Sequence, residues 1–274
     1  MESKEKFVND CMALFAQCPG NRIEIPDEMP MELFEPPLIG FASAADEIFM
    51  KYKEKEVVGP MFSSPEEWLP GAKTVVTFFF PFTESVRESN RETPDQPSAP
   101  WLYGRIEGQQ FINSFMGQLQ RHLTDTGIKA CVPSMDKRFK VQMEACGENG
   151  EEDFHADSRW SERHAAYACG LGTFGMSKGL ITERGMAGRI ASIIIDAEFE
   201  SDERPYTGLY DFCIRCGACA LRCPAKAISM EYGKNNIKCN SYLNALKEKC
   251  APRYGCGKCQ VGVPCEFGKP ALAE

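Results

Sequence analysis

The alternation of apolar and polar positions divides the chain into elements before any chemistry is considered. In residues 3–17, Phe7, Met12, Leu14 and Phe15 fall broadly on one side of a helical wheel, so the segment reads as an amphipathic helix. Residues 21–38 are rich in Pro and Glu and read as extended. Residues 43–56 carry a helical pattern behind a cap-type Ser43, with Asp46 and Glu47 in the first turn. Residues 60–71 read as a loop with Trp68 turned inward. Residues 73–80 are β-branched and aromatic and are closed by Pro81, the strongest strand signal in the chain. Residues 83–100 are polar and hold Pro94, Pro97 and Pro100, which predicts a long surface loop of the kind that borders active sites. Phe111, Phe115, Leu119 and Leu123 recur about one turn apart and predict a helix over 109–123, ended by Gly127. A short strand is expected at 140–144, a helix at 158–168, a second strong strand at 189–196, and a polar link at 201–211.

These elements fill a chain of 274 residues, enough for one large domain and one small one. The first residues lack the basic start and apolar run of a signal peptide. The longest strongly apolar run, residues 75–80, is too short to span a bilayer. The expectation is a cytoplasmic protein with no membrane partner. In such a reducing compartment disulfides are rare, so cysteines gathered together point to metal or redox chemistry. Nine of the fourteen cysteines lie after Asp211. Charge follows the same division: from Cys213 onward the chain carries +6, and before it −14. A basic tail can signal nucleic acid. Cations that offset anionic metal–thiolate centres explain it more simply.

The cysteine pattern is specific. Cys213, Cys216, Cys219 and Cys223 followed by Pro224 give C-x2-C-x2-C-x3-C-P. In this spacing three thiolates wrap one iron–sulfur cubane and the fourth serves another. The fourth cysteine is expected to begin a short helix. Cys239, Cys250, Cys256, Cys259 and Cys265 follow. By this exchange rule Cys265 completes the set of Cys213, Cys216 and Cys219, while Cys239, Cys256 and Cys259 join Cys223. Cys250 is left over, and could replace Cys239 if the intervening helix is turned differently. Zinc is the competing metal, because paired C-x2-C units also bind it. Cys11, Cys18, Cys131, Cys146 and Cys169 are scattered and read as small core hydrophobes. Two neighbouring 4Fe–4S clusters imply single-electron transfer. The expected division is an α/β domain for substrate or cofactor at 1–204 and a bacterial ferredoxin-like domain at 205–274.

Several motifs together resemble the epoxyqueuosine reductases, whose core is shared with reductive dehalogenases. They are Cys169-Gly170-Leu171-Gly172-Thr173-Phe174-Gly175, Leu180-Ile181 with the strand that follows, and Lys238-Cys239-Asn240-Ser241-Tyr242. Phe154-His155-Ala156-Asp157-Ser158 with Glu162-Arg163, and Tyr103-Gly104-Arg105, add to them. The resemblance implies an α+β fold class: a nitroreductase-like α/β domain followed by a two-cluster ferredoxin-like domain. It further implies a cobalamin-type corrinoid between the two, reduced by the nearer cluster. Asp157 would donate the proton, its plainer reading being the N-cap of a helix starting at Ser158. Tyr103, Arg105, Asp157, Gly172, Gly175, Ser177 and Ser241 would approach the cofactor. A ferredoxin or flavodoxin would supply electrons to an oxygen-sensitive reductive reaction on an unidentified small molecule or protein. Two other classes compete: an electron carrier that activates a partner and holds no corrinoid, and a flavin-dependent reductase.

The departures from the family pattern are local. Ile106-Glu107-Gly108 follows Arg105 where the family has Asp-Tyr-His, and Gly175-Met176-Ser177 replaces Gly-Lys-Asn. The sequence ends at Glu274 without the helical-repeat tail that holds tRNA in that family, which speaks against tRNA as a partner. The string Gly170-x-Gly172-x-x-Gly175 also fits a dinucleotide fingerprint, but no strand is expected before it and no acidic residue follows in the right context.

Overall fold

The structure is a computed structural model describing residues 3–26, 28–148 and 151–271, with backbone only at 145–148, 151 and 152. Helix α1 (Lys4–Gln17) opens the chain, its N-terminus capped by the Ser3 side chain, which accepts from the Lys6 amide. Strands β1 (Arg22–Ile23) and β2 (Met31–Glu32) form a short ladder. Strand β3 (Leu38–Ser43), single-turn helices α2 (Ile48–Lys51) and α3 (Pro65–Trp68), strand β4 (Thr74–Pro81), helices α4 (Glu84–Glu92) and α5 (Ala99–Asp125) and strand β5 (Ala130–Cys131) follow. Strands β6 (Val141–Glu148) and β7 (Glu151–Ser158) make a hairpin; helix α6 (Glu162–Ala168) leads into a second hairpin, β8 (Gly172–Phe174) and β9 (Leu180–Thr182), and then β10 (Gly188–Ile195). The cysteine-rich part holds α7 (Ala218–Leu221), the small ladder of β11 (Ile228–Ser229) and β12 (Gly233–Lys234), and α8 (Asn236–Cys250).

The frame is a four-stranded antiparallel sheet in the order β3-β4-β10-β5. All eight residues of β4 are buried, because both faces of the sheet are covered. On one face Val76, Phe78 and Phe80 of β4 and Ala191, Ile193 and Ile195 of β10 meet Phe7 and Phe15 of α1 and Phe111 and Phe115 of α5. On the other, Val75 and Ile194 pack with Phe49, Tyr52, Phe62, Trp68 and Trp160 and with Ala165 and Ala168 of α6. Phe79 belongs to a third cluster that reaches Phe174, Ile181 and Met186 and ends at Phe212 and Val263 beside the cysteines. The period of two along β4 and β10 thus ties the sheet to helices on one side and to the cysteine-rich segment on the other.

Five expectations about elements are corrected. Residues 43–56 hold only the single turn α2, because β3 runs on to Ser43 and the Ser43 hydroxyl then accepts from the Ala45 amide in a turn. Residues 83–100 are not a surface loop: they contain α4, with Val86, Arg87 and Asn90 buried. Helix α5 begins at Ala99, capped by Ser98, so Pro100 occupies a first-turn position where its missing N–H costs nothing. The helix expected from residue 158 starts at Glu162; Asp157 and Ser158 end strand β7 instead, which removes the helix-cap reading of Asp157. Cys223 follows the short helix α7 rather than beginning one. Among the scattered cysteines, Cys11, Cys18, Cys131 and Cys169 are buried as expected; the side chain of Cys146 lies outside the described residues.

Candidate metal centres and an arginine recess

Cys213, Cys216, Cys219 and Cys265 line one small hollow, together with Gly175, Met176, Ser177 and Met186. The loop bearing the first three is set by the Phe212 amide, which donates to Thr173 Oγ1 at 2.9 Å, and by the Cys213 amide, which donates to the Tyr210 carbonyl at 2.8 Å. Cys265 is brought in by the opposite wall, where the Met186 amide donates to its carbonyl at 2.9 Å. Burial, then the charges of neighbouring thiols, pushes Cys219 up to about 11 and Cys265 up to about 12. Four thiols gathered around a hollow form a site that a cationic centre completes, because metal binding replaces the thiol protons. Cys216 is exposed, so this site opens on the surface.

A second set assembles behind it. Cys256 is raised to about 11 by burial, then by Cys259, Cys223 and Cys239. Cys259 is raised by burial and by Cys239 and Cys223. Cys239 sits in the second turn of α8, whose start is capped by Asn235. The Ala227 amide donates to Cys223 Sγ at 3.3 Å. Cys250 ends α8. The 256–259 loop is held by Asn90, whose Nδ2 donates to the Cys256 carbonyl at 3.0 Å, and by Trp101, whose indole lies against Gly257. The thirteen described cysteines are all free of disulfides. Among the described residues no three His, Cys, Asp or Glu side chains close tightly enough to hold a single ion.

Beyond Cys259 three arginines converge. Arg105 comes from α5, Arg163 from α6 and Arg189 from β10. Arg105 Nη2 donates to the Tyr254 hydroxyl at 3.2 Å, and Arg189 Nη2 donates to Gln109, one turn from Arg105 on α5. Solvent reaches the Arg163 side chain, yet crowding by protein lowers its pKa, opposed by Cys259 and reinforced by Arg105. Arg189 is lowered to about 9 by burial and then by Arg105 and Arg163. The three guanidiniums thus lie close enough to act on one another, with Arg163 exposed and Arg189 half-buried. Among the described residues no carboxylate pairs with any of the three.

Residues 209–229 match the 4Fe-4S binding domain family. An epoxyqueuosine reductase from Cellulophaga algicola is 31% identical over 139 residues, 46% of this chain and 44% of that protein. Over these stretches the chain is similar to the epoxyqueuosine reductases and reductive dehalogenases. A tetrachloroethene reductive dehalogenase of Desulfitobacterium hafniense is 36% identical over 88 residues, 31% of this chain and 16% of that protein. The matches span less than half of either curated relative. In fold, the chain is similar to the epoxyqueuosine reductase of Bacillus subtilis, with a TM-score of 0.55 at 18% identity over 98% of this chain and 66% of that one. A catabolic reductive dehalogenase gives a TM-score of 0.54 at 14% identity, covering 97% of this chain and 37% of that one. One epoxyqueuosine reductase structure of this group is described with an epoxyqueuosine-modified tRNA-Tyr stem loop, so the expectation against tRNA is not borne out. Among the described residues no helix is long and apolar enough to cross a membrane.

The family-derived site residues fall in several places. Arg105 stands near Arg163 and Arg189. Tyr103 is covered by Arg253, whose guanidinium lies 3.6 Å above its ring and pairs with Glu107. Gly175 and Ser177 line the first cysteine cavity. Gly172 is interior to the β8–β9 hairpin, where a Cβ would stand 1.9 Å from the Ile181 carbonyl oxygen. Ser241 is exposed on α8. Asp157 is buried beneath the 59–61 turn and accepts from the Met61 amide at 3.2 Å and 3.4 Å. Asn90 and Lys258 were not singled out beforehand, because polar and basic residues carry no burial signal of their own.

Glu162, the first residue of α6, is a further group with unusual surroundings. Its Oε2 accepts from Ser192 Oγ at 2.6 Å, Ser192 in turn accepts from the Trp160 indole at 2.8 Å, and Oε1 is buried without a described partner. Burial pushes the carboxyl up from 4.5 to about 7, with Ser192, Ser134 and Trp160 pulling the other way. A raised acid favours folding below its unfolded value and loses that contribution as pH rises through the folded value. The expected result is that Glu162→Gln is more stable than wild type above pH 7, by about 1–3 kcal/mol, with no such gap below pH 4.5. Denaturant unfolding at the two pH values checks it; a gap independent of pH would refute it.

Proposed function

We propose that the chain holds two 4Fe–4S clusters and passes single electrons inward to a corrinoid seated at the arginine group, for a reductive cleavage. The observation that carries this reading is the disposition of eight cysteines: one set opens on the surface at Cys216, and the other ends at Cys259 beside Arg163. Cys213, Cys216, Cys219 and Cys265 would hold the outer cluster, and Cys223, Cys239, Cys256 and Cys259 the inner one. The basic character of the chain after Cys213 favours an acidic carrier, such as a ferredoxin or flavodoxin, as the electron source.

The arginine group suits a large acceptor-rich cofactor because its three guanidiniums lie close together without carboxylate partners among the described residues. When bound, a corrinoid supplies cobalt that cycles by single electrons and breaks carbon–oxygen or carbon–halogen bonds. Arg105, Arg163 and Arg189 would orient its amide and phosphate groups. Asp157 is the proton donor in this reading. Its carboxyl is bonded to the Met61 amide, so donation calls for the end of the β6–β7 hairpin to move. A Bacillus subtilis relative is described with its catalytic aspartate loop swung out of the active site, which supports such movement. The reaction class follows the relatives, which are named for epoxyqueuosine and tetrachloroethene.

Anaerobic reconstitution is expected to give about eight irons per chain and retained cob(II)alamin. Arg163→Met and Arg189→Met should weaken cobalamin retention at least tenfold with iron unchanged, by metal analysis and electron paramagnetic resonance. Full iron with an unperturbed cobalt signal would replace this reading with that of an electron carrier.

A further inference from the structure

We propose that the buried Lys258 ammonium raises the reduction potential of the centre held by Cys223, Cys239, Cys256 and Cys259. The inference rests on reading that set as a 4Fe–4S site.

Lys258 stands between Cys256 and Cys259 and is fully buried. Its Nζ donates to the Asn90 carbonyl at 2.7 Å, Asn90 Oδ1 at 2.9 Å and Thr93 Oγ1 at 2.8 Å, and also to the Thr93 carbonyl. The main-chain acceptors stand at the C-terminal end of α4, where the helix dipole is negative. A nitrogen with so many acceptors around it is an ammonium, with three protons to give. The amide of Asn90 is turned the same way by its other bonds: Oδ1 also accepts from the Ser98 amide at 3.1 Å, and Nδ2 donates to the Cys256 carbonyl. Among the described residues no carboxylate comes within ion-pair distance of Lys258. Its hydrogen bonds are thus satisfied by neutral groups, and its formal charge is left for the adjacent thiolates.

The direction of the effect follows from charge. Reduction adds one electron to a centre that is already anionic, and a cation fixed within the same loop stabilises the reduced form more than the oxidised one. The effect is large here because the ammonium is shielded from water and cannot be replaced by solvent ions. The same contacts anchor the loop to α4, joined by Arg222, whose guanidinium donates to the Lys258 carbonyl at 3.4 Å and the Arg91 carbonyl at 3.1 Å. Lys258 is therefore a positioning and tuning residue, and it touches no substrate.

The test is a redox titration of the reconstituted full chain at pH 7, followed by electron paramagnetic resonance with iron counted in each sample. Lys258→Met removes the charge, Lys258→Arg keeps it, and Thr93→Asp brings a carboxylate to the ammonium without altering the cysteine loop. In Lys258→Met and Thr93→Asp one of two transitions should become at least tenfold harder to reduce, about 59 mV for one electron, with the other unchanged. Lys258→Arg should restore most of the difference. If Lys258→Met loses iron, Thr93→Asp decides alone. Full iron with both transitions within threefold of wild type in Thr93→Asp overturns the proposal. A wild-type chain without 4Fe–4S signals overturns the underlying reading first and is distinguishable from it.

Discussion

Cys265→Ala is expected to empty the outer site and remove about half of the bound iron, while leaving the inner site loaded. The expectation comes from the cavity that Cys265 shares with Cys213, Cys216 and Cys219, although it lies far beyond them along the chain. Its loss should be as severe as that of Cys219, because a cubane with three thiolates exposes an iron to solvent and is readily lost. The complementary pair is Cys239→Ala and Cys250→Ala. Both cysteines lie on α8, and Cys239 is the one prominent among the charges acting on Cys256 and Cys259. Cys239→Ala should empty the inner site, and Cys250→Ala should keep about eight irons. Iron and sulfide analysis of anaerobic samples checks all three. Full iron in Cys239→Ala with half the iron in Cys250→Ala would exchange the two assignments. Full iron in Cys265→Ala would remove that residue from the outer set.

Gly257→Ala should be the most damaging small substitution in the cysteine-rich part. The residue has φ of +68°, and a Cβ there would stand 2.0 Å from the Trp101 ring carbons. The indole cannot step aside: Trp101 is buried, its amide is bonded to the Ser98 cap, and its ring lies 4.9 Å from that of Phe82. Either the 256–259 loop moves or the α5 start does. The expected cost is above about 3 kcal/mol in unfolding free energy, with loss of inner-site iron. Gly71→Ala is the control, since φ is +81° but nothing lies within 4 Å of the added carbon; it should cost about 1 kcal/mol. In the background Trp101→Ala, Gly257→Ala should cost no more than the control, a coupling that a double-mutant cycle reads directly. Equal stability and equal iron in the two single glycine variants would dismiss the steric argument.

The parts legible in the amino-acid order were those set by short-range rules. The β-branched and aromatic run of β4 and the β10 strand could be read because both faces of each are apolar, and α1 because its stripe repeats each turn. The C-x2-C-x2-C-x3-C-P spacing pointed to iron because ligands on one tight loop are governed by covalent distance. Tertiary contact decided the rest. The polar segment 83–100 became a helix with buried Asn90 because its polar groups meet partners at residues 256 and 258. Local composition cannot register such partners. Asp157 joined a strand because residues 141–148 pair with it, and hairpin pairing depends on the partner strand as much as on its own sequence. The arginine group draws one residue from each of α5, α6 and β10, three unremarkable surface-type charges until folding brings them together. Periodicity and spacing act over a few residues, whereas burial of charge and polarity is settled by neighbours that only the folded chain supplies.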